Sequence, residues 1–147
     1  MVPVMNILLE QGVIPFHGMV QKPEVLIVAP TRELAIHIHR EACKFAYNSA
    51  LEAVIICGGT VNSFELFNLQ AGCNILVAAV GHLKDCLDRG VFDFSYIQFL
   101  ILEETDRMLD MGFGPDIEKI ATHPTMPPNV IIQFHFLFST FKHVISL

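Results

Sequence analysis

Residues 24–35 read EVLIVAPTRELA, a short apolar run that passes directly into a helical pattern. Residues 24–29 have the length and the branched aliphatic side chains of a buried β-strand. Helical spacing of apolar residues then extends over residues 31–48. The predicted buried face of this helix carries Leu34, Ile38, Ala42 and Phe45. An apolar strand followed at once by an amphipathic helix is half of a β-α-β unit, so this stretch predicts a parallel sheet.

The same alternation of short apolar runs with amphipathic stretches continues along the whole chain. Further strands are predicted at residues 53–57, 74–79, 98–102 and 130–138. Helices are predicted at residues 1–11, 31–48, 63–71, 81–89, 106–111 and 116–122. Five strands with helices between them predict an α/β fold with a doubly wound, mainly parallel sheet.

The bulk composition limits the class of protein. A chain of 147 residues is long enough for one domain with its own core. Its hydrophobic fraction of 52% argues against disorder over most of the length. No apolar run approaches the roughly 18–20 residues of a membrane helix, so no membrane partner is expected. The formal net charge of −6 predicts no basic face of the kind that binds nucleic acid, so any contact with a nucleic acid must come from local groups.

The cysteines and histidines show no zinc-binding pattern. Cysteines that are widely spaced and lack a C-x-x-C pair predict buried, reduced thiols in an intracellular protein. They are Cys43, Cys57, Cys73 and Cys86. His37 and His39 lie two residues apart in a predicted helix, so they point to different faces and do not form a metal pair. The other histidines are scattered and predict ordinary surface or core roles.

Ligands of a doubly wound sheet bind at the carboxyl ends of its strands. The segments expected there are residues 30–32, residues 58–60, Gly81, residues 103–104 and residues 139–140. Two acids directly after a strand suit Mg²⁺ and an attacking water beside a nucleotide. Acids in this position also interact favourably with the positive end of the following helix. The residues alone leave both interpretations open.

Several segments together resemble the motifs of the DEAD-box RNA helicases. Residues 101–113, ILEETDRMLDMGF, resemble the family's acid motif and its continuation. Residues 30–35, PTRELA, resemble its first RNA-contacting motif, and residues 74–83, NILVAAVGHL, resemble the segment that normally reads T-P-G-R. Residues 138–141, FSTF, resemble its S-A-T motif. Several motifs in family order are more specific than any one of them, and residues 40–46, REACKFA, are closest to the Vasa and Ded-type branch.

This resemblance implies a RecA-like fold and an RNA-dependent ATPase that unwinds RNA duplexes, with ATP and Mg²⁺ as cofactors. The implied catalytic residues are Glu103, Glu104 and Asp106, with Glu103 as the Mg²⁺ ligand. The coupling motif falls on Ser139 and Thr140. The implied RNA-binding residues are Pro30, Thr31, Arg32, Gly58, Gly59 and Gly81. Glycine lets a phosphate approach closely, and a helix N-terminus offers it free N–H groups. A cytoplasmic location is expected, in germ granules if the likeness to Vasa holds.

The chain also departs from the family pattern. No G-x-x-x-x-G-K-[ST] phosphate loop occurs in it, and residues 2–5 resemble the helix that follows that loop. We therefore expect residues 1–147 to be a first RecA-like domain truncated at its N-terminus, without the second RecA-like domain and unable to bind ATP alone. Glu103 and Thr105 replace the first Asp and the Ala of the acid motif, and His82 replaces the Arg of T-P-G-R. The S-A-T motif lacks its Ala.

Functions of different classes remain open. The chain is a helicase domain that is inactive in isolation, or a non-enzymatic lobe that binds RNA weakly through its backbone or docks on a protein partner. A relic of a decaying gene copy is a third alternative.

Residues 130–147 are rich in aromatic and aliphatic side chains, with Lys142 as the only lysine or arginine. Beside an unpaired strand such a segment predicts self-association or a protein partner.

Overall fold

A computed structural model describes residues 2–12, 22–58 and 72–135 of the chain. The helices in these ranges are α1 Val2–Gln11, α2 Arg32–Ala46, α3 Val80–Asp88, α4 Thr105–Asp110 and α5 Gly114–Ala121. The strands are β1 Val25–Ala29, β2 Ala53–Ile56, β3 Ile75–Ala79, β4 Phe99–Leu102 and β5 Ile131–Phe134. No helix in the described ranges is long and apolar enough to cross a membrane.

The strands form one parallel sheet with the spatial order β2-β3-β1-β4-β5. β1 lies at its centre, where Val28 pairs with Ala78 of β3 and with Leu102 of β4. Parallel neighbours require crossover connections, and the chain supplies helix α2 between β1 and β2, α3 between β3 and β4, and α4 and α5 between β4 and β5. The predicted α/β fold with a doubly wound parallel sheet is confirmed.

Both faces of the sheet are covered by helices, which explains why its strands are continuously apolar. Leu26 and Val28 of β1 belong to a core that also contains residues of α3, α4 and α5. Val25, Ile27 and Ala29 of the same strand belong to a second core with residues of α1 and α2. Alternate residues of a strand point to opposite faces, so one five-residue strand contributes to both cores.

The amino ends of three strands are tied together by Asn74, a buried polar residue just before β3. Its side-chain Oδ1 accepts a hydrogen bond from the backbone N–H of Glu52 at 2.9 Å. Its carbonyl oxygen accepts from the N–H of Val25 at 3.0 Å, and its own N–H donates to the carbonyl of Glu52 at 2.9 Å. Asn74 thereby fixes the register at the end of the sheet opposite to the predicted ligand site.

Some expectations from the sequence are wrong in detail. Phe45 was predicted to be buried but is 48% exposed. The buried face of α2 carries Ala35, Ile38, Ala42 and Ala46. Phe45 lies about 100° around the helix axis from Ala46 and therefore outside that face. Cys43 of the same helix is exposed, whereas the other three cysteines are buried as predicted.

Strand β5 ends at Phe134, opposite the last residue of β4, so the strand does not include His135, which the prediction placed inside it. The predicted helix at residues 63–71, and residues 136–138, lie outside the described ranges.

Candidate functional site at the carboxyl end of the sheet

The order of the strands separates two groups of predicted site residues. Residues assigned to RNA follow three neighbouring strands: Gly58 comes after β2, Gly81 after β3 and residues 30–32 after β1. The acid motif, residues 103–106, follows β4 on the other side of β1. All strands are parallel, so these segments lie at one end of the sheet, as expected. Gly59, Ser139 and Thr140 lie outside the described residues.

The junction between β1 and α2 is a well-formed helix N-terminus. Thr31 is the N-cap residue of α2, and its side-chain oxygen accepts a hydrogen bond from the N–H of Leu34 at 3.3 Å. Pro30 is buried beneath the junction, and Arg32 is exposed at the first position of the helix. The first N–H groups of a helix have no partner inside the helix. Together with the exposed guanidinium, they suit an anionic ligand such as a backbone phosphate.

The junction between β3 and α3 is buried at Ala79 and Val80 and reaches the surface at Gly81. The N-cap residue Ala79 makes no side-chain capping hydrogen bond. Gly81 is exposed in the first turn, and a Cβ built on it meets no heavy atom within 4 Å. Packing against the described residues therefore does not require glycine here. His82, next in the chain, is half-buried.

The carboxylate of Glu103 is held by a histidine from the neighbouring strand. The backbone N–H of Glu103 extends the sheet by donating to the carbonyl of Val28 at 2.9 Å. Its Oε1 lies 2.8 Å from Nδ1 of His135, which directly follows β5. About a quarter of each side chain remains exposed, 25% for Glu103 and 29% for His135. Sequence reasoning missed His135, because a predicted strand at 130–138 placed it mid-strand, away from the carboxyl end of the sheet.

Glu104 has an unusual backbone conformation at the start of α4. Its φ of 48° and ψ of 51° are left-handed, which costs a residue with a Cβ about 1 kcal/mol. It occupies the N-cap position without making a side-chain capping hydrogen bond. Instead, its Oε2 accepts a hydrogen bond from Nη1 of Arg107 at 3.3 Å. Hydrogen-bonded capping therefore does not account for this acid, and its side chain lies along the helix surface.

Thr105, the residue in place of the family's Ala, is buried and fully engaged. Its hydroxyl donates to the carbonyl of Leu102 at 3.0 Å, and its N–H donates to the carbonyl of His135 at 2.8 Å. Two contacts therefore join the acid motif to the residue after β5, one through the backbone and one through the side chain of Glu103. Asp106 is half-buried in the first turn of α4.

The first two acids of the motif each have one carboxylate oxygen engaged inside the chain, and this bears on Mg²⁺ binding. Glu103 is engaged by His135, and Glu104 by Arg107. The described ranges contain no group of three or more His, Cys, Asp or Glu side chains that could hold a metal ion. Mg²⁺ requires near-ideal octahedral oxygen coordination, and an ion at Glu103 would have to bind through Oε2 or compete with His135 for Oε1. The role of Glu103 as a Mg²⁺ ligand stays a prediction.

Known proteins similar to this chain are RNA helicases. The family model described as DEAD/DEAH box helicase matches residues 1–142. Two proteins, from Sus scrofa and Homo sapiens, are each named probable ATP-dependent RNA helicase DDX4 and are 42% identical to this chain over 126 residues. The matched region is 86% of this chain but only 18% and 17% of those proteins, so the chain spans less than a fifth of their length.

Solved structures with a similar fold are DEAD-box proteins as well. Prp28 from Chaetomium thermophilum, bound to ADP, matches 93% of this chain and 32% of that chain, with a TM-score of 0.73 and 32% identity. A DEAD box protein from the hyperthermophile Methanococcus jannaschii matches 84% of this chain and 33% of its own, with a TM-score of 0.71 and 29% identity. The yeast DEAD-box splicing factor Prp28 matches 81% of this chain and 29% of its own, with a TM-score of 0.70 and 31% identity.

Proposed function

Because the chain belongs to the DEAD/DEAH box helicase family, we propose that residues 1–147 act as the first, RNA-contacting lobe of an ATP-dependent RNA helicase of the Vasa type. By family such a protein is an RNA-dependent ATPase that unwinds RNA duplexes with ATP and Mg²⁺. In this proposal the lobe holds the RNA backbone weakly and does not hydrolyse ATP by itself. Its setting is the cytoplasm, with germ granules as the specific site to test by imaging.

The observation that carries the proposal is that the residues assigned to RNA and the acid motif lie on opposite sides of β1 at the carboxyl end of the sheet. The exposed Arg32, the open Gly81 and the segment at Gly58 follow adjacent strands, on the side of β1 away from the acid motif. Two of these junctions are helix N-termini, which favour anions. Contacts of this kind bind the backbone without reading base identity, so binding should be sequence-independent and salt-sensitive.

The acid motif supports an inactive lobe. Its first two acids are engaged by basic side chains of the chain itself, Glu103 by His135 and Glu104 by Arg107. Residues 1–147 contain no phosphate-loop motif to hold a triphosphate. These observations favour the second candidate function, a non-enzymatic lobe that binds RNA or a protein partner, whenever the chain acts by itself.

An RNA-binding measurement tests the proposal. Fluorescence anisotropy of a labelled single-stranded RNA, titrated at low salt, should show weak binding that decreases steeply as salt is added. Arg32→Ala should weaken it, whereas Arg40→Ala, an exposed arginine of the same helix placed away from the carboxyl end of the sheet, should leave it unchanged. Equal losses in both variants would show nonspecific attraction and would refute the proposed interface.

A further inference from the structure

Helix α2 differs in charge from the other helices of the chain. It contains three Lys or Arg residues and two Glu residues, whereas every other helix in the described ranges contains more acidic than basic residues. The whole chain has a net charge of −6, so α2 is a local exception. A positively charged surface on an acidic protein favours a partner with a local negative charge.

Two of the cations of α2 lie on one exposed stripe that ends in an aromatic residue. Arg40, Lys44 and Tyr47 are spaced by four and then three residues, so they share one face of the helix. Tyr47 is 80% exposed, the largest fraction among the bulky apolar and aromatic residues of the described ranges. Within those ranges Arg40 makes no ion pair or hydrogen bond, and Lys44 pairs only with Glu41 of the same helix, at 2.6 Å. Such a surface pair contributes little, so both cations can bind a ligand.

A cavity of about 220 Å³ lies beside this stripe, between the end of α2 and the start of β2. Small or apolar side chains form part of its wall, namely those of Cys43, Ala46, Leu51 and Ala53. Tyr47 and Glu52 also line it. Because the carboxylate of Glu52 repels an acidic group, the cavity suits an apolar side chain, and acidic groups of the same ligand fit the two cations on the stripe.

We infer that the C-terminal half of α2 and this cavity form a docking surface for an acidic segment of a partner protein, with an apolar side chain of that segment in the cavity. Tyrosine and arginine are the residue types that most often dominate binding at protein interfaces. The two cations have Glu41 beside them and do not form the continuous positive track that a nucleic acid backbone requires. This inference rests on the second candidate function, a lobe that binds a protein partner, and not on the RNA contact.

The docking surface is well separated from the proposed RNA contact. At a rise of about 1.5 Å per residue, Tyr47 lies about 22 Å along the helix from Arg32. The first residue of α2 is at the carboxyl end of the sheet, and the last is near its amino end. A protein partner and RNA can therefore bind the chain at the same time.

A labelled synthetic peptide in which leucines alternate with aspartates and glutamates tests this surface on the full 147-residue chain. Fluorescence anisotropy should show saturable binding below millimolar concentration that weakens as salt is added. Arg40→Ala and Tyr47→Ser should each lower the affinity about three- to tenfold. Cys43→Leu fills the cavity without changing the charge and should lower it as well. Arg32→Ala, an exposed arginine at the other end of α2, should bind the peptide as the parent does.

The two arginine variants separate this inference from the proposed RNA interface. Arg40→Ala should weaken peptide binding and leave RNA binding unchanged, whereas Arg32→Ala should do the reverse. A peptide with serine in place of leucine keeps the charges and should bind more weakly, because nothing fills the cavity. The inference is overturned if the leucine peptide shows no saturable binding, or if Arg40→Ala and Arg32→Ala lose equal affinity for it. Loss of RNA binding in Arg40→Ala would overturn it too, by assigning the stripe to a nucleic acid.

Discussion

Nδ1 of His135 lies 2.8 Å from Oε1 of Glu103, and this hydrogen bond joins the carboxyl ends of β4 and β5. The backbone supports the same junction, since the N–H of His135 donates to the carbonyl of Leu102 at 2.8 Å. Glu103 stands where the DEAD-box family has its first acid. In this chain the carboxylate is therefore part of an internal contact, and His135 competes with any cation for Oε1.

The Glu103–His135 contact should stabilise the fold measurably. A double-mutant cycle of Glu103→Gln, His135→Ala and the double variant, followed by urea unfolding, should give a coupling free energy of about 0.5–1.5 kcal/mol. We expect the lower part of this range, because both side chains are partly exposed. A coupling indistinguishable from zero would mean that the two side chains do not interact in solution.

The isolated 147-residue chain should not bind ATP with micromolar affinity. It contains no phosphate-loop sequence, and the acids that would hold Mg²⁺ are engaged by His135 and Arg107. Titration of a fluorescent ATP analogue in millimolar Mg²⁺ should show no saturable signal. Saturation in the micromolar range that unlabelled ATP competes away would contradict this expectation and would favour an active enzyme.

His82→Arg should strengthen RNA binding. His82 lies in the first turn of α3 beside the exposed Gly81, where the family motif has a permanent positive charge. Restoring that charge should raise affinity at low salt by about two- to fivefold, the range of a solvent-exposed ion pair. Anisotropy titrations at two salt concentrations measure the gain and its loss in high salt. Arg89→Lys, which keeps the charge near the other end of α3, is the control. Unchanged affinity in His82→Arg would remove this segment from the RNA interface.

Most of the fold was predictable from the sequence because the strands are buried on both faces. A continuous apolar run such as residues 75–79 has little alternative to a central strand, and the turn residues around it set its ends to within a residue or two. The helix faces were less certain. A shift of one residue moves a side chain by about 100° around the axis, and this error placed Phe45 in the core instead of on the surface.

The pairing of side chains at the candidate site was not predictable in the same way. Parallel order places the ends of β4 and β5 side by side, but which residue of β5 stands beside Glu103 depends on where that strand ends. The aromatic residues after Phe134 suggested a longer strand and hid the terminal position of His135. The left-handed backbone at Glu104 has no sequence signal either, because glycine or asparagine usually marks that conformation.

Glu104→Gly should stabilise the chain even though it removes a charge pair. Glycine adopts the left-handed conformation without the penalty of about 1 kcal/mol that a Cβ carries. The lost pair with the half-exposed Arg107 contributes little by comparison. Glu103→Gly is the matched control, because Glu103 does not have a positive φ and gains nothing from glycine. This variant also loses the contact with His135, so it should be less stable than the parent. Urea unfolding of both variants would decide, and destabilisation by Glu104→Gly would show that its side-chain contacts outweigh the backbone strain.

The chain should self-associate through β5. Within the described residues β5 has a neighbouring strand on one side only, and Ile131 at its start is 38% exposed beside the exposed Ile7 of α1. An apolar strand with an unpaired side is a template for pairing with a second chain. Light scattering after size-exclusion chromatography at tens of micromolar should therefore show dimers or larger species.

Ile131→Lys should shift the distribution toward monomer, because a lysine on an edge strand opposes pairing. Leu109→Lys changes a more exposed aliphatic residue on α4, 54% against 38% for Ile131, and should have no such effect. A parent chain that is monomeric at this concentration would refute the prediction, and equal shifts by both lysine variants would move the contact away from β5.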